Sequence, residues 1–356
     1  MQKRDEIIKR LLEQTAEVIT PEEFTARLES GEALTHYIGF EISGYVHIGQ
    51  GIMSALVIKD LQDLGVKCTV WLADWHTAIN DKLDGTKETA ARIGQGYFKE
   101  AITACLQAVG ADPDKVAFKL ASEQYAEDPM EYWGIVVTGL NNTTQSRLMR
   151  SMSIMGREAS GEVEGAKLLY PAMQVADVFY QSVDIAHAGM DQRKAYAIMR
   201  DVAEKITPDQ SKPIVLLHHL LPALDDPEGK MSKSKPGSAL FVHDSPEEIK
   251  TKINKAFCPE KDIVKNPVLN WTKLILFWDR PVPLVIEREE KHGGNREFTT
   301  YQELEAAYAA GEVHPLDLKA AVARELIALL APVRKHFVRS DIAAKKEELD
   351  KVLESR

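Results

Sequence analysis

"THYIGFEISGYVHIGQGIMSALVIKDLQDLGVKCTVWLAD", Thr35 to Asp74, decides how this chain folds. Its first eight residues are bulky and alternate, which suits a strand running into Ser43 and Gly44. From Gly49 onward the apolar residues Ile52, Leu56, Val57, Leu61 and Leu64 recur at helical spacing, and Gly65 closes the helix. "VKCTVWLAD" is β-rich and nearly all apolar, as a strand buried on both faces should be. Strand, helix and strand within about 35 residues form a βαβ unit, so the predicted fold is α/β with a doubly wound, Rossmann-like parallel sheet.

Working outward, residues 1–33 read as an N-terminal helical segment, with Thr20 as a cap and Pro21 in the first turn of a second helix. Residues 34–224 read as the sheet domain, carrying a less regular insertion at about 112–167. A polar loop and linker follow at 225–244. At Ser245 and Pro246 a strong helix start opens a C-terminal all-α domain, 245–356.

With 356 residues, 44% of them apolar, the chain can build two ordinary domains. Runs such as "PIVLL" and "LIALLAPV" fall far short of the roughly 18 to 20 residues of a membrane span. The mixed-charge start "MQKRDEIIKRLLEQ" has no apolar signal core, so a cytoplasmic location is expected. Cys68, Cys105 and Cys258 lack metal-ligand spacing and are expected to be reduced thiols. The net charge of −10 argues against a protein that coats nucleic acid. Residues 245–356 are charge-balanced, so the acidic excess lies before them and the C-terminal third is the better place for a polyanion.

Two motifs carry chemistry. At His47-Ile48-Gly49 a helix N-terminus offers unpaired N–H groups to a phosphate, glycine allows close approach, and a histidine can donate to an oxygen that gains charge in the transition state. A preorganised contact of that kind is worth about 2.7 to 4 kcal/mol. "KMSKS", Lys230 to Ser234, sits between Gly229 and Pro236-Gly237; its lysines and serines suit a mobile clamp on a triphosphate. Alone, the first would be an ordinary helix start and the second a solvated basic loop; their pairing at the ends of one sheet favours function.

Tyr170, Gln174 and Asp177 in "LLYPAMQVADVF" stand at i, i+4 and i+7, on one helix face. The stripe either faces solvent or meets a polar ligand.

The two motifs together resemble the HIGH and KMSKS signatures of class I aminoacyl-tRNA synthetases. "YIGFEISGYVHIG", "YPAMQVADVFY", "GMDQRK" and "HPLDLK" further resemble the tyrosyl-tRNA synthetases of archaeal and eukaryotic type, from about His36 to Leu330. The resemblance implies activation of L-tyrosine by ATP, with Mg2+, to tyrosyl-adenylate and transfer to tRNA(Tyr). It implies no permanently bound cofactor, no protein metal site and a homodimer, with the interface at about Trp133 to Met155.

It further implies roles. Tyr37 and Asp177 would hold the phenolic hydroxyl; Tyr170, Gln174 and Gln192 the amino and carboxyl end; His76 would line the pocket. His47, Lys230 and Lys233 would be catalytic, and Gly49, Gln50, Lys233 and Ser234 would contact ATP. Asp317 would read the first anticodon base, with His314 stacked near it and His292 where the family often has an aromatic. Gln50 replaces the second histidine of the signature: its amide can donate as a neutral imidazole does, but it carries no positive charge. A pocket that hydrogen-bonds a hydroxyl rejects the analogue lacking it, so no editing domain is expected. Tryptophanyl-tRNA synthetases share these signatures, as do small-molecule nucleotidyltransferases of the same superfamily; a synthetase-derived RNA-binding protein is the non-enzymatic alternative.

Overall fold

The computed structural model describes residues 2–156, 164–229, 231 and 237–355. Six strands form one sheet: β1 (Glu17–Ile19), β2 (Thr35–Phe40), β3 (Lys67–Leu72), β4 (Val116–Leu120), β5 (Ile185–Gly189) and β6 (Ile214–His218), in the order β1-β6-β5-β2-β3-β4. All pairs are parallel except β1 with β6. The chain leaves β2 toward β3 and β4 on one side and returns through β5 and β6 on the other. The order therefore reverses between β2 and β5, where a doubly wound sheet opens a crevice at its strand ends.

The helix Ile48–Asp63 joins β2 to β3 as the sequence predicts, with Gly65 at φ +86° just beyond it. It is apolar over most of its surface because it is covered on most sides: it packs between the sheet, the helix Lys99–Ala108, the N-terminal helix Gln2–Gln14 and the turn Thr272–Leu276. Its one buried acid, Asp60, accepts from Arg10 at 2.6 and 2.8 Å and from the Trp278 indole at 3.0 Å. That carboxylate ties the N-terminal helix and the C-terminal region to the helix after β2, since leaving any of the three polar groups unpaired there would be costly.

Some details depart from the sequence reading. Residues 1–33 contain, besides helices, the edge strand β1 of the sheet. Thr20 does not cap the next helix by accepting from its backbone; it adopts φ +63° and its hydroxyl donates to Glu23 instead. The stretch 112–167 includes β4, a full member of the sheet, so the added helices begin only after Leu120. The C-terminal region is helical, with a short antiparallel ribbon of β7 (Leu284–Ile286) and β8 (Arg296–Phe298). Its last helices, Ala331–Phe337 and Ser340–Glu354, fold back onto the sheet domain. Cys68 and Cys105 are buried, Cys258 is half-buried, and none is bridged.

Candidate active site

At the reversal point a cavity of about 370 Å³ opens, within the range of small-ligand sites. Its floor is built by β2 and the helix Gly165–Tyr180. Tyr37 and Gly39 lie two residues apart and so on one face of β2. At Gly39 a Cβ would collide with the Tyr37 hydroxyl, so the missing side chain is what lets the phenol lie where it does. Asp177 meets the floor from the helix. It is 1% exposed, and its Oδ1 accepts from Tyr125 at 2.6 Å and Tyr132 at 3.2 Å. Its Oδ2 is buried with no hydrogen-bond partner among the described residues.

Burial pushes the Asp177 carboxyl up to about 7, against the pull of Tyr125, Tyr132, Trp71 and Tyr37. Burial likewise raises Tyr37, with the Asp177 charge adding to the effect, so its phenol remains a donor. His76 Nδ1 lies 3.9 Å from Asp177 Oδ2, yet burial lowers His76 to about 4, so the two do not form an ion pair at neutral pH. The His76 ring stands edge-on to Tyr170, centroids 4.6 Å apart.

The polar stripe Tyr170, Gln174 and Asp177 lines this cavity. Gln174 Nε2 donates to Gln192 Oε1 at 3.2 Å, and Gln192 Nε2 donates to the Ile154 carbonyl at 3.0 Å. The Tyr170 hydroxyl donates to Glu41 Oε2 at 3.3 Å. Glu41 also accepts from Asn80 and lies 3.9 Å from Lys82.

The mouth is formed where the two motifs meet. His47 is the N-cap of the helix Ile48–Asp63, and its Nδ1 accepts from the Gln50 backbone N–H at 3.2 Å. A neutral ring bonded this way carries its proton on Nε2. The backbone beyond KMSKS pairs with the start of HIG and the residue before it: Ile48 N–H donates to the Leu240 carbonyl at 2.9 Å and Val242 N–H to the Val46 carbonyl at 3.1 Å. A Cβ on Gly49 would come within 2.7 Å of Met231 Cε. Met231, the second residue of KMSKS, therefore lies over the glycine of the first motif. Gln50 lines the same mouth, its Oε1 buried without a partner among the described residues. Lys230, Lys233 and Ser234 lie outside the described residues.

The second expected site is some distance along the chain. His314 is the N-cap of the helix Pro315–Leu329, its Nδ1 accepting from Leu316 N–H at 3.2 Å, and Asp317 stands in the first turn. Arg288 donates to the Glu312 carbonyl at 2.7 Å and Arg296 pairs with Glu312 at 2.6 Å, which fastens the β7–β8 turn beside this helix start. The turn carries His292, whose side chain lies outside the described residues.

The sequence reading passed over Glu41, Tyr125, Tyr132, Asp191, Tyr196 and His218, all at or around the cavity. Tyr125 and Tyr132 reach Asp177 from helices after β4, and no local spacing signals that contact. Glu41 directly follows "YIGF" and Asp191 lies within "GMDQ", both at the ends of strands where a doubly wound sheet places its ligand.

The cavity thus combines a polar floor at the switch point with a helix N-terminus at its mouth, over which Met231 lies. Residues 29–331 match the family model described as tRNA synthetases class I (W and Y), so the chain belongs to that class. Within it, the chain is 48% identical to the tyrosine–tRNA ligase of Thermococcus kodakarensis over 95% of each chain. It superposes on the crystal structure of a tyrosyl-tRNA synthetase complexed with L-tyrosine from Pyrococcus horikoshii with a TM-score of 0.92, at 45% identity over 98% of this chain and 99% of that one. The chain is a member of the tyrosyl-tRNA synthetase family. A tryptophanyl-tRNA synthetase from Aeropyrum pernix, 21% identical with a TM-score of 0.66 over 93% of this chain and 84% of that one, shares the fold.

Proposed function

We propose that this cavity is where the chain carries out the reaction of its family, ligation of tyrosine to tRNA. L-tyrosine enters phenol first. The observation that carries this is Asp177 Oδ2, a buried acceptor in the cavity lining with no hydrogen-bond partner among the described residues; a phenolic O–H supplies the missing hydrogen, and Tyr37 donates to the same ligand oxygen. Gln174, Gln192 and Tyr170 hold the amino and carboxyl end, and His76 gives the ring a neutral wall.

ATP binds at the mouth as its Mg2+ complex, with phosphate at the N–H groups around Gly49. The tyrosine carboxylate then attacks the α-phosphate, which needs positioning and charge stabilisation and no protein nucleophile. His47 donates through Nε2 to the phosphoryl oxygens as charge builds there. Lys230 and Lys233 take the β,γ-phosphates and release them as pyrophosphate, and Ser234 and Gln50 give neutral contacts. Transfer of the tyrosyl group to the terminal ribose of tRNA follows. Asp317, His314 and His292 receive the anticodon; an Asp accepting from a base amine beside a ring that can stack is sound chemistry for single-stranded RNA. The working unit is a homodimer: the helix Pro129–Asn141 exposes Met130, Trp133 and Val137, apolar surface that a second copy would cover.

The test is tyrosine-dependent ATP–pyrophosphate exchange followed by charging of unfractionated tRNA. Exchange and charging with tyrosine are expected. Exchange with tryptophan alone, or exchange with no charging, would overturn the assignment.

A further inference from the structure

Three histidines stand in series across the centre of the sheet. His36 on β2, His187 on β5 and His218 at the end of β6 are all buried. His36 Nε2 lies 3.1 Å from His187 Nδ1, and His187 Nε2 lies 2.8 Å from His218 Nδ1. The strands run parallel, with Ile38 opposite His187 and Gly189 opposite His218, so the rings step toward the strand ends until the last one lines the cavity. The other end is closed: His36 Nδ1 is buried with no partner among the described residues. Burial lowers His36 to about 3 and His218 to about 4, and takes His187 well below its ordinary value. Each ring is therefore neutral near pH 7 and carries one ring proton.

Such a chain has two self-consistent arrangements. With every proton on Nδ1, the donors point inward, His36 is left with an orphaned buried N–H, and His218 shows a lone pair to the cavity. With every proton on Nε2, the donors point outward, His36 leaves only a lone pair unmet, and His218 shows an N–H. Orphaned buried donors are rarer in proteins than under-used acceptors, which favours the outward arrangement.

We propose that His36 and His187 are positioning residues that fix the ring and the Nε2–H tautomer of His218, making it a preset donor to a hydroxyl of the bound nucleotide. Gly189 lets His218 and Asp191 close on one point of the cavity wall: a Cβ there would lie 3.5 Å from His218 Nε2, 3.1 Å from Leu220 Cδ2 and 2.8 Å from Asp191 Oδ1, too crowded for a side chain. A ring nitrogen and a carboxylate thus stand side by side in the cavity lining, and a ribose hydroxyl can both accept and donate. The inference rests on the mouth being the ATP site.

Two measurements test it on the full-length protein. Long-range proton–nitrogen correlation on nitrogen-15 histidine, assigned with single-histidine variants, is expected to show the Nε2–H pattern for His36, His187 and His218 in the ligand-free state. The Nδ1–H pattern would overturn the proposal, whatever the variants below do. In exchange kinetics, His187→Leu removes the donor to His218 and is expected to raise KM for ATP about threefold to tenfold, the range of one neutral hydrogen bond, with KM for tyrosine unmoved. His187→Gln, whose amide can still donate to His218, is expected to restore most of it. Equal damage in both variants, or an unchanged KM for ATP in His187→Leu, would contradict it. Failure of the wild type to exchange with tyrosine would refute the proposed reaction instead and leave the tautomer result standing.

Discussion

The Tyr125 hydroxyl donates to Asp177 Oδ1 over 2.6 Å. Together with Tyr132 it occupies one oxygen of the carboxylate, and the other is buried in the cavity lining with no hydrogen-bond partner among the described residues. The protein thus keeps one strong acceptor in a low-dielectric site at a cost in stability, and an incoming hydroxyl offsets that cost.

The cost has a pH signature. Asp177 titrates near 3.8 when unfolded and near 7 when folded. Between those values the folded chain holds a proton that the unfolded chain has lost, so stability is highest below that window and falls as pH rises through it, by up to about 1.4 kcal/mol per pH unit. Asp177→Asn removes the titration. In ligand-free melts the variant is expected to gain on the wild type at pH 8 relative to pH 5, while losing tyrosine binding. A difference that does not change with pH would contradict this.

Gly39→Ala places a methyl group against the Tyr37 hydroxyl. The phenol, which lines the cavity, must shift to accommodate it. KM for tyrosine is expected to rise at least tenfold, with KM for ATP nearly unchanged; steady-state exchange at varied tyrosine and ATP separates the two.

His47→Ala removes a helix cap and, in the proposed reaction, the donor at the mouth. Loss of the cap costs about 1 kcal/mol of stability, and loss of the donor is expected to slow adenylate formation about 10²- to 10³-fold. Gln50→His, which restores the usual second histidine, is expected to alter the rate only a few-fold. Pre-steady-state adenylate formation in both variants checks the ranking, and the reverse order would mean the motif's labour is divided otherwise.

Asp317→Ala changes a side chain in the first turn of the helix Pro315–Leu329, well away from the cavity lining. KM for tRNA is expected to rise about tenfold, as loss of one base contact implies, with exchange unaffected. A collapse of exchange would place Asp317 in the first step and sink the anticodon assignment.

What the sequence made legible was local. The βαβ unit from Thr35 to Leu72 declared itself by period, and the face shared by Tyr170, Gln174 and Asp177 by spacing within one helix. What it hid was contact between distant segments. Tyr125 and Tyr132 reach Asp177 across 52 and 45 residues, and His36, His187 and His218 meet only because β2, β5 and β6 become neighbours. β1 was missed because three residues of an edge strand between two helices give no pattern, and β7 and β8 are as short. The pairing of Val46–Ile48 with Leu240–Val242 explains why two motifs far apart in sequence act as one mouth.

The central claim is that the floor of the cavity reads a hydroxyl. Its most direct measurement is the ratio of kcat/KM for tyrosine over phenylalanine in adenylate formation, by the wild type and by Asp177→Asn. Tyrosyl synthetases as a class discriminate by about 10⁵, because a site built for a hydroxyl leaves buried groups unpaired when it is missing. The account predicts a ratio of that order for the wild type and a fall of at least a hundredfold in the variant. A ratio that survives the loss of the Asp177 carboxylate would contradict it.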